Sequence, residues 1–537
     1  IFPDWVGLTT QTGSKAQHTL CINGGSENSR YYISGTYLDS KGVAVNDEFK
    51  RISGRINVET DIRKWLTLGT NTQLLHSNRD GLPATFGGYS GSYRLNPLTS
   101  AYDETGNLTI YPWPQDTFFG NPLSPTLASN LDDSYKIITN NYLNIKLPFI
   151  QGLSYRLNTG FEYTTRDQKT YYGSNTRKGL LAKGDLNMVS SKDKNIVIEN
   201  ILNYNRSFGD HTIGFTGLLS MQEQSLDKSE LAAEGFPNDI LTYYQANVAL
   251  SVSPDAAFAK ETLLSQMARV NYSYKSKYLL TLTARRDGFS GFGKNNKFGF
   301  FPSMAIGWNI GQEDFLAGSK IVDDLKIRAS YGSNGNQAVS AYKTLARMET
   351  RSYVDGSTTL PGYVPISLGT PDLKWETTTA FNLGVDFSLL QGRIQGSLDG
   401  YSKQTRDILL DRAISSVHGI SSIVQNIGKT ANKGIELGAN STNVKNDKFN
   451  WSSTVSFSLN RNQIKDLYGD GRSDTLNQWF IGYPIDVSYG YVYNGVWQLD
   501  DDLSSSPQPN TLPGFAKVKD LNRDGKITPA EDKTIIG

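Results

Sequence analysis

Residues 376–404, ETTTAFNLGVDFSLLQGRIQGSLDGYSKQ, decide the fold. In the first half, Phe381, Leu383, Val385 and Phe387 fall on one side of an extended chain, and Asn382, Gly384, Asp386 and Ser388 on the other. After a turn near Gln391 and Gly392, Ile394 and Leu398 share a side opposed by Arg393, Gln395, Ser397 and Asp399. Period two in both arms, joined by a tight turn, predicts a β-hairpin. Each arm runs about ten residues, longer than the roughly five to six of an ordinary soluble strand. That length, with one apolar and one polar face, is that of a strand crossing a membrane in a barrel. One such hairpin also fits a soluble β-protein, so the weight falls on repetition.

The pattern does repeat. Hairpins are predicted with short turns near 62, 150, 209, 276, 391 and 446, separated by polar excursions rich in Gly, Ser, Asn and Pro. The spacing predicts about sixteen strands between 31 and 497, the last over 488–497 (SYGYVYNGVW), with 17–23 as one more candidate. Short turns alternating with long loops are the habit of outer-membrane barrels, where turns face the periplasm and loops face outward. A sandwich has no reason to sort its connections by length. Trp65, Tyr278 and Trp451 stand just past short turns, where an interfacial aromatic girdle would sit. The expected class is therefore all-β: a transmembrane antiparallel up-and-down β-barrel with long extracellular loops and short periplasmic turns.

Composition narrows the alternatives. Among 537 residues, Lys plus Arg (53) nearly balances Asp plus Glu (52), which argues against nucleic acid as a partner. Hydrophobic residues make up 38%, mean hydropathy is −0.42, and no apolar run reaches the length of a spanning helix. A helical membrane protein is excluded. A barrel is not, because lumen-facing residues and loops dilute the average. The single cysteine, Cys21, excludes an internal disulfide and disfavours a thiolate metal site. Beginning at Ile1 without a signal and stopping at Gly537 after an apolar Thr-Ile-Ile, the sequence reads as cut at both ends.

The sharpest local motif runs from Asp520 to Asp532, DLNRDGKITPAED. It fits a twelve-residue calcium loop: Asp520, Asn522, Asp524, Thr528 and Glu531 supply side-chain oxygens, Lys526 its carbonyl, and Gly525 the sharp turn, with Asp532 as a further candidate metal ligand. Hard oxygen donors suit Ca²⁺ in a structural role, and Pro529 disfavours a helix on the exit side. A turn rich in Asp, Asn and Gly that holds no ion has the same composition. Loop aromatics Tyr111, Trp113, Phe118 and Phe119, with Trp479 and Phe480 further on, suit stacking on a sugar ring, and suit still better the filling of loop cores or partner interfaces. Catalytic patterns are poor. His18, His76, His211 and His418 lack metal-ligand spacing, Gly288–Gly293 reads as a flexible loop, and the pairs Asp132/Asp133 and Asp323/Asp324 are expected in turns. No enzyme is expected.

Several stretches then carry a resemblance: GGSENSRYYISGTYLDSKGV (24–43), FFPSMAIGWNI (300–310), LKIRASYGSNGNQ (325–337), LGTPDLKWETTTAFNLGVDF (368–387), NIGKTANKGIELGAN (426–440) and KDLNRDGKITPAEDKTIIG (519–537). In order and in register, these resemble the SusC/RagA family of TonB-linked outer-membrane transporters. The resemblance implies a barrel of twenty-two strands, of which about sixteen are present, plugged by a preceding domain. It also implies energy coupling through TonB, a SusD-like surface lipoprotein as a lid, and oligosaccharide or peptide cargo. On this reading 1–30 is a junction with at most one strand, 31–497 the barrel wall, and 498–537 an extracellular segment holding the calcium loop. A passive porin, or a calcium-stabilised carbohydrate-binding β-protein, fits the residues alone.

Overall fold

The computed structural model describes residues 3–85, 91–415, 417 and 419–536; Ile1, Gly537 and His418 lie outside the described residues. Its first strands are β1 (Ser14–Gly25), β2 (Ser29–Lys41), β3 (Glu48–Arg63), β4 (Leu66–Asn78), β5 (Ser129–Lys146), β6 (Leu153–Tyr172), β7 (Asp185–Phe208), β8 (His211–Glu234) and β9 (Ser251–Tyr274). There follow β10 (Tyr278–Phe289), β11 (Phe298–Asn309), β12 (Val322–Asn336), β13 (Arg347–Asp355), β14 (Thr358–Ser367), β15 (Glu376–Leu389), β16 (Ile394–Ala413), β17 (Ser422–Lys445) and β18 (Asn450–Asp466). Sixteen of these form one sheet in chain order, and β13 pairs only with β14. Among described residues no helix is long and apolar enough to cross a membrane. The chain divides into two compact units: residues up to Arg206 with Gly214–Ala268 and Asp287–Ser290, and Ser207–Ile213 with Arg269–Arg286 and Gly291 onward.

The connections follow the predicted sorting in part. Odd strands pass to even ones through 26–28, 64–65, 147–152, 209–210, 275–277, 390–393 and 446–449, with 310–321 the longest of this set. The alternate connections 79–128, 173–184, 235–250 and 337–375 are long, whereas 42–47, 290–297 and 414–421 are shorter than 310–321 and depart from the expected rhythm. Left-handed backbone at Lys275 and Ser276 (φ 51° and 55°), and at Leu390, Gln391 and Gly392, reverses the chain within a few residues.

Within the second unit, register lines up one apolar row across six strands. Trp308 pairs with Ile327, Ile327 with Val385, Val385 with Leu398, Leu398 with Leu437, and Leu437 with Phe457. This row does not enter a dry core: Leu398 is 44% and Phe457 55% exposed. In the first unit Leu153, Tyr155, Leu157, Phe161 and Tyr163 are likewise only half-buried. Rows this apolar and this exposed are stable only against lipid.

Most buried hydrophobics lie instead at the long-connection ends of the strands, Ile310 on the short-turn side being an exception. Helix α1 (Trp5–Thr9), capped by Asp4 on the Gly7 N–H at 2.9 Å, brings Trp5 against Ala84, Ala101 and Leu123. Tyr171, Leu186, Ala233 and Phe236 make a second cluster beside helix α2 (Arg177–Ala182). In the other unit Trp375 packs against Phe292 and Phe301. The long loops therefore carry their own small cores.

Three expectations are corrected. Strands are longer than about ten residues, and β7, β8, β9 and β17 each have 24. Beyond the hydrocarbon layer both faces meet water, so alternation fades while the hydrogen-bond ladder continues, and such stretches read as excursions. The β13–β14 hairpin escapes notice for the same reason, since β13 is exposed along its whole length. Residues 488–497 are not a barrel strand. They split into β19 (Tyr489–Tyr491) and β20 (Tyr493–Val496), which pair with β22 (Lys533–Ile535) and β21 (Ala516–Val518). Gly495, at φ 102°, interrupts the extended geometry, and the large sheet ends at Asp466. The candidate strand at 17–23 lies inside β1.

Candidate functional site

The polar face of the strands carries charge held in fixed geometry. In the second unit Arg328 on β12 donates to Asp386 on β15 (Nε to Oδ2 3.1 Å) and to Asp399 on β16 (Nη2 to Oδ2 2.8 Å). Gly384 lies between, paired with Arg328 on one side and Asp399 on the other. A Cβ there would meet Arg328 Cζ and Asp399 Oδ1 at 2.6 Å each, so the glycine leaves room for the clamp. Tyr401 leans over Gly434 in the same way to donate to Asn460 Oδ1 at 3.3 Å.

The first unit repeats the device. Tyr142 on β5 crosses Gly69 on β4 and donates its hydroxyl to Glu59 on β3, and a Cβ at Gly69 would fall 2.2 Å from the ring. The Arg156 guanidinium sits 4.0 Å from the Tyr142 ring centroid, a cation–π contact. Asp132, buried, takes a bidentate pair from Arg166 at 2.7 and 2.6 Å. On the opposite face, in line with Ile137 and Tyr163 but nearer the long connections, His76 meets Asp133 at 2.6 Å and stacks on Tyr135. Asp132 and Asp133 thus lie within β5, and Asp323 and Asp324 within β12, not in turns. Asp132 lies on the polar face and Asp133, its neighbour in the strand, on the opposite one, so this end of β5 carries charge on both sides, which composition alone had assigned to loops. These glycine gaps were missed by sequence reasoning; the available signal is a glycine on the polar face opposite a Tyr or Arg.

At the short-turn side an aromatic row includes Tyr274, Tyr278 and Trp308, with neighbouring rings stacked 6.4 and 6.5 Å apart. Glu313, in the connection after β11, accepts from Trp308 Nε1 (3.0 Å), the Tyr278 hydroxyl (2.8 Å) and Lys277 Nζ (3.0 Å). These donors hold its carboxyl down to about 2, the Trp308 bond contributing most. His211 bonds the Tyr272 hydroxyl at 2.7 Å, and His18 is exposed on β1.

The terminal loop closes on itself. Asp520 accepts the N–H groups of Arg523 (2.6 Å) and Gly525 (2.9 Å), Asn522 that of Asp524 (3.2 Å), and Asp524 that of Lys526 (2.8 Å). Glu531 returns over the loop, taking Asn522 Nδ2 at 3.2 Å and Thr528 Oγ1 at 3.4 Å. Asp532, fully buried, clasps the N–H groups of Leu521 (2.8 Å) and Thr528 (2.7 Å). The donor set offered by Asp520, Asn522, Asp524, Thr528 and Glu531 is all oxygen, which matches a hard cation in kind. Among described residues no three His, Cys, Asp or Glu side chains converge as a ready metal cluster, and no aromatic lies in the loop.

The loop aromatics separate into local contacts. Phe118 meets Phe119 edge-on at 5.2 Å, while Trp113 is exposed at the start of a turn closed by the Asp116 N–H. Trp479 exchanges backbone bonds with Asp474 at 2.8 Å, and Phe480 packs on Tyr489 at 4.8 Å, tying its loop to the terminal segment.

A family model described as TonB dependent receptor-like, beta-barrel matches residues 65–523. TonB-dependent receptor P3 of Formosa agariphila is 34% identical over 99% of this chain and 55% of that protein. TonB-dependent receptor SusC of Bacteroides thetaiotaomicron is 29% identical over 88% of this chain and 49% of that protein. The solved structure of the RagAB peptide transporter superposes with a TM-score of 0.85 at 25% identity, covering 100% of this chain and 60% of that one. The chain spans about half the length of the curated relatives it matches.

Proposed function

Because the chain belongs to the TonB-dependent receptor-like β-barrel family, on its SusC/RagA side, we propose that it forms the wall of an energised importer. The family's barrels reside in the bacterial outer membrane and are transporters, not enzymes. The cargo we assign is an oligosaccharide or peptide too large for passive pores, taken up with energy from TonB. A SusD-like surface lipoprotein would cover the long-loop side. One observation carries the reading: the same strands present an exposed apolar row on one face and the Arg328–Asp386–Asp399 clamp on the other. A sheet with lipid on one side and a hydrated path on the other requires that division. The RagAB structure is that of a peptide transporter, which supports cargo of this size class.

The terminal loop is assigned a structural Ca²⁺, held by oxygens of Asp520, Asn522, Asp524, Thr528 and Glu531 with the Lys526 carbonyl. When bound, the ion would supply charge neutralisation for three carboxylates and no chemistry on cargo.

Uptake of labelled oligosaccharide and peptide mixtures by cells with and without TonB tests the proposal. Import should stop when TonB is deleted. Conduction that continues without it would make the protein a passive porin. Copurification of a lipoprotein on the loop side tests the partner separately.

A further inference from the structure

A cleft of about 560 Å³ opens in the second unit between the β13–β14 hairpin and the start of β17. It lies with the long connections, on the side opposite the tight turns. Lys343, Arg347 and Arg351 line it, against one acid, Asp411. Neither arginine is used up by its neighbours. Arg347 Nε reaches Ser367 Oγ at 3.3 Å, and Arg351 makes only a 3.5 Å contact with Glu349 in an exposed pair. Thr370, 8% exposed, also lines the cleft, and its Oγ1 has no hydrogen-bond partner among the described residues. A hydroxyl so buried normally finds one, so a polar group is wanted there.

The walls say what kind of ligand. They are aliphatic, including Val364, Ile366, Leu368, Ile420 and Val424, and among the described residues that line the space none is aromatic. Two strands bordering it have an edge without a strand partner. β14 pairs only with β13, and β18 joins β17 only from Lys429 onward, leaving Ser422–Gly428 paired on one side. Such edges accept an extended peptide by main-chain hydrogen bonds.

We propose that this cleft binds an acidic peptide segment in extended form, its carboxylates on Arg347, Arg351 and Lys343 and a backbone or side-chain polar group on the Thr370 hydroxyl. Arg offers paired N–H donors to each carboxylate, and the aliphatic walls take the intervening side chains. The inference deepens the import reading by naming a cargo class, and it rests on that reading only for the word cargo.

Equilibrium binding to the full protein in detergent micelles tests it with three probes: a blocked peptide alternating alanine and glutamate, its glutamine counterpart, and an oligogalacturonate of similar charge. The glutamate peptide should bind about tenfold more tightly than the glutamine one, with the gap narrowing as salt rises. Arg347→Gln with Arg351→Gln should erase the gap. Asp411→Asn should widen it about threefold by removing repulsion, a gain that misfolding cannot produce. Equal binding of the two peptides, persistence of the gap in the double variant, or tighter binding of the oligogalacturonate each overturns the proposal. These are binding readouts, so loss of TonB-dependent uptake with the gap intact would fault only the transport reading.

Discussion

The guanidinium of Arg328 occupies the space that a side chain on Gly384 would fill, 2.6 Å from an added Cβ. Because Gly384 is paired directly with Arg328 across β12 and β15, the arginine crosses it to reach Asp399 on the next strand. Gly384→Ala should therefore destabilise the folded sheet by about 1–3 kcal/mol, the usual cost of overpacking. Gly400 is the control, since nothing lies within 4 Å of a Cβ built there. Gly400→Ala should be neutral or slightly stabilising, as a glycine in an ordinary extended conformation gains from the change. Urea midpoints for folding into micelles measure both, and equal midpoints would remove the clamp from the account.

The ring nitrogen of Trp308 and the hydroxyl of Tyr278 fix Glu313 at the short-turn side, and the carboxyl titrates at about 2 instead of its ordinary 4.5. A depressed carboxyl contributes stability that is present above the unfolded value and is lost as pH falls through the folded one. Between pH 4.5 and about 2 the protein should thus lose stability through this group. Glu313→Gln should flatten that part of the profile while leaving neutral-pH insertion intact. Acid unfolding curves of the two proteins, followed by tryptophan fluorescence, compare them directly; superimposable curves would refute the assignment.

How far the sequence revealed this arrangement depends on where water lies. Within the hydrocarbon layer one face of each strand must be apolar, so Phe381, Leu383 and Val385 announce β15 and its register without help. Above that layer both faces are wet, and β8 as far as Glu234 and β9 from Ser251 lose the pattern while keeping their ladders. The resemblance to SusC/RagA carried family and localisation, which periodicity alone left open against a soluble β-protein. The glycine gaps were hidden because their meaning needs cross-strand register: nothing beside Gly69 in the chain points to Tyr142, 73 positions on being the wrong scale for local reading. The terminal motif was legible as a loop, since Asp520 and Gly525 do close the turn by a 2.9 Å bond, whereas the buried clasp made by Asp532 was not.

That clasp separates two roles within one acidic loop. Asp532 satisfies the part-buried N–H groups of Leu521 and Thr528, so Asp532→Ala should open the segment with or without calcium, at a cost of about 1 kcal/mol or more for the orphaned donors. Asp524→Ala removes an oxygen from the proposed ion site and should act only when calcium is present. Limited proteolysis within 519–533, with calcium or with chelator, reads the difference. Calcium should protect the parent loop and fail to protect the Asp524 variant, with membrane insertion unchanged. Cleavage indifferent to chelator would remove the ion.

The lipid-facing assignment makes the most general prediction. Phe381 and Asn382 are adjacent in β15 and lie on opposite faces, Phe381 paired with Tyr331 and Asn382 with Ser330. Phe381→Arg would place a charge in hydrocarbon, costing about 2–4 kcal/mol near the bilayer midplane and less toward either interface. Asn382→Arg would point the same charge to the hydrated side, close to the Arg328 clamp but two residues along β15 from its row, and should cost under about 1 kcal/mol. Leu383→Arg should follow Phe381, and Ser397→Arg should follow Asn382. Folding into liposomes of fixed thickness, read as the urea midpoint, orders the four variants. If the two faces responded alike, water would touch both sides of β15 and the outer-membrane placement of its apolar row would fall. If the polar-face variants were the costly ones, the sheet would be inside out, with Phe381 turned toward a packed interior that its exposure already argues against.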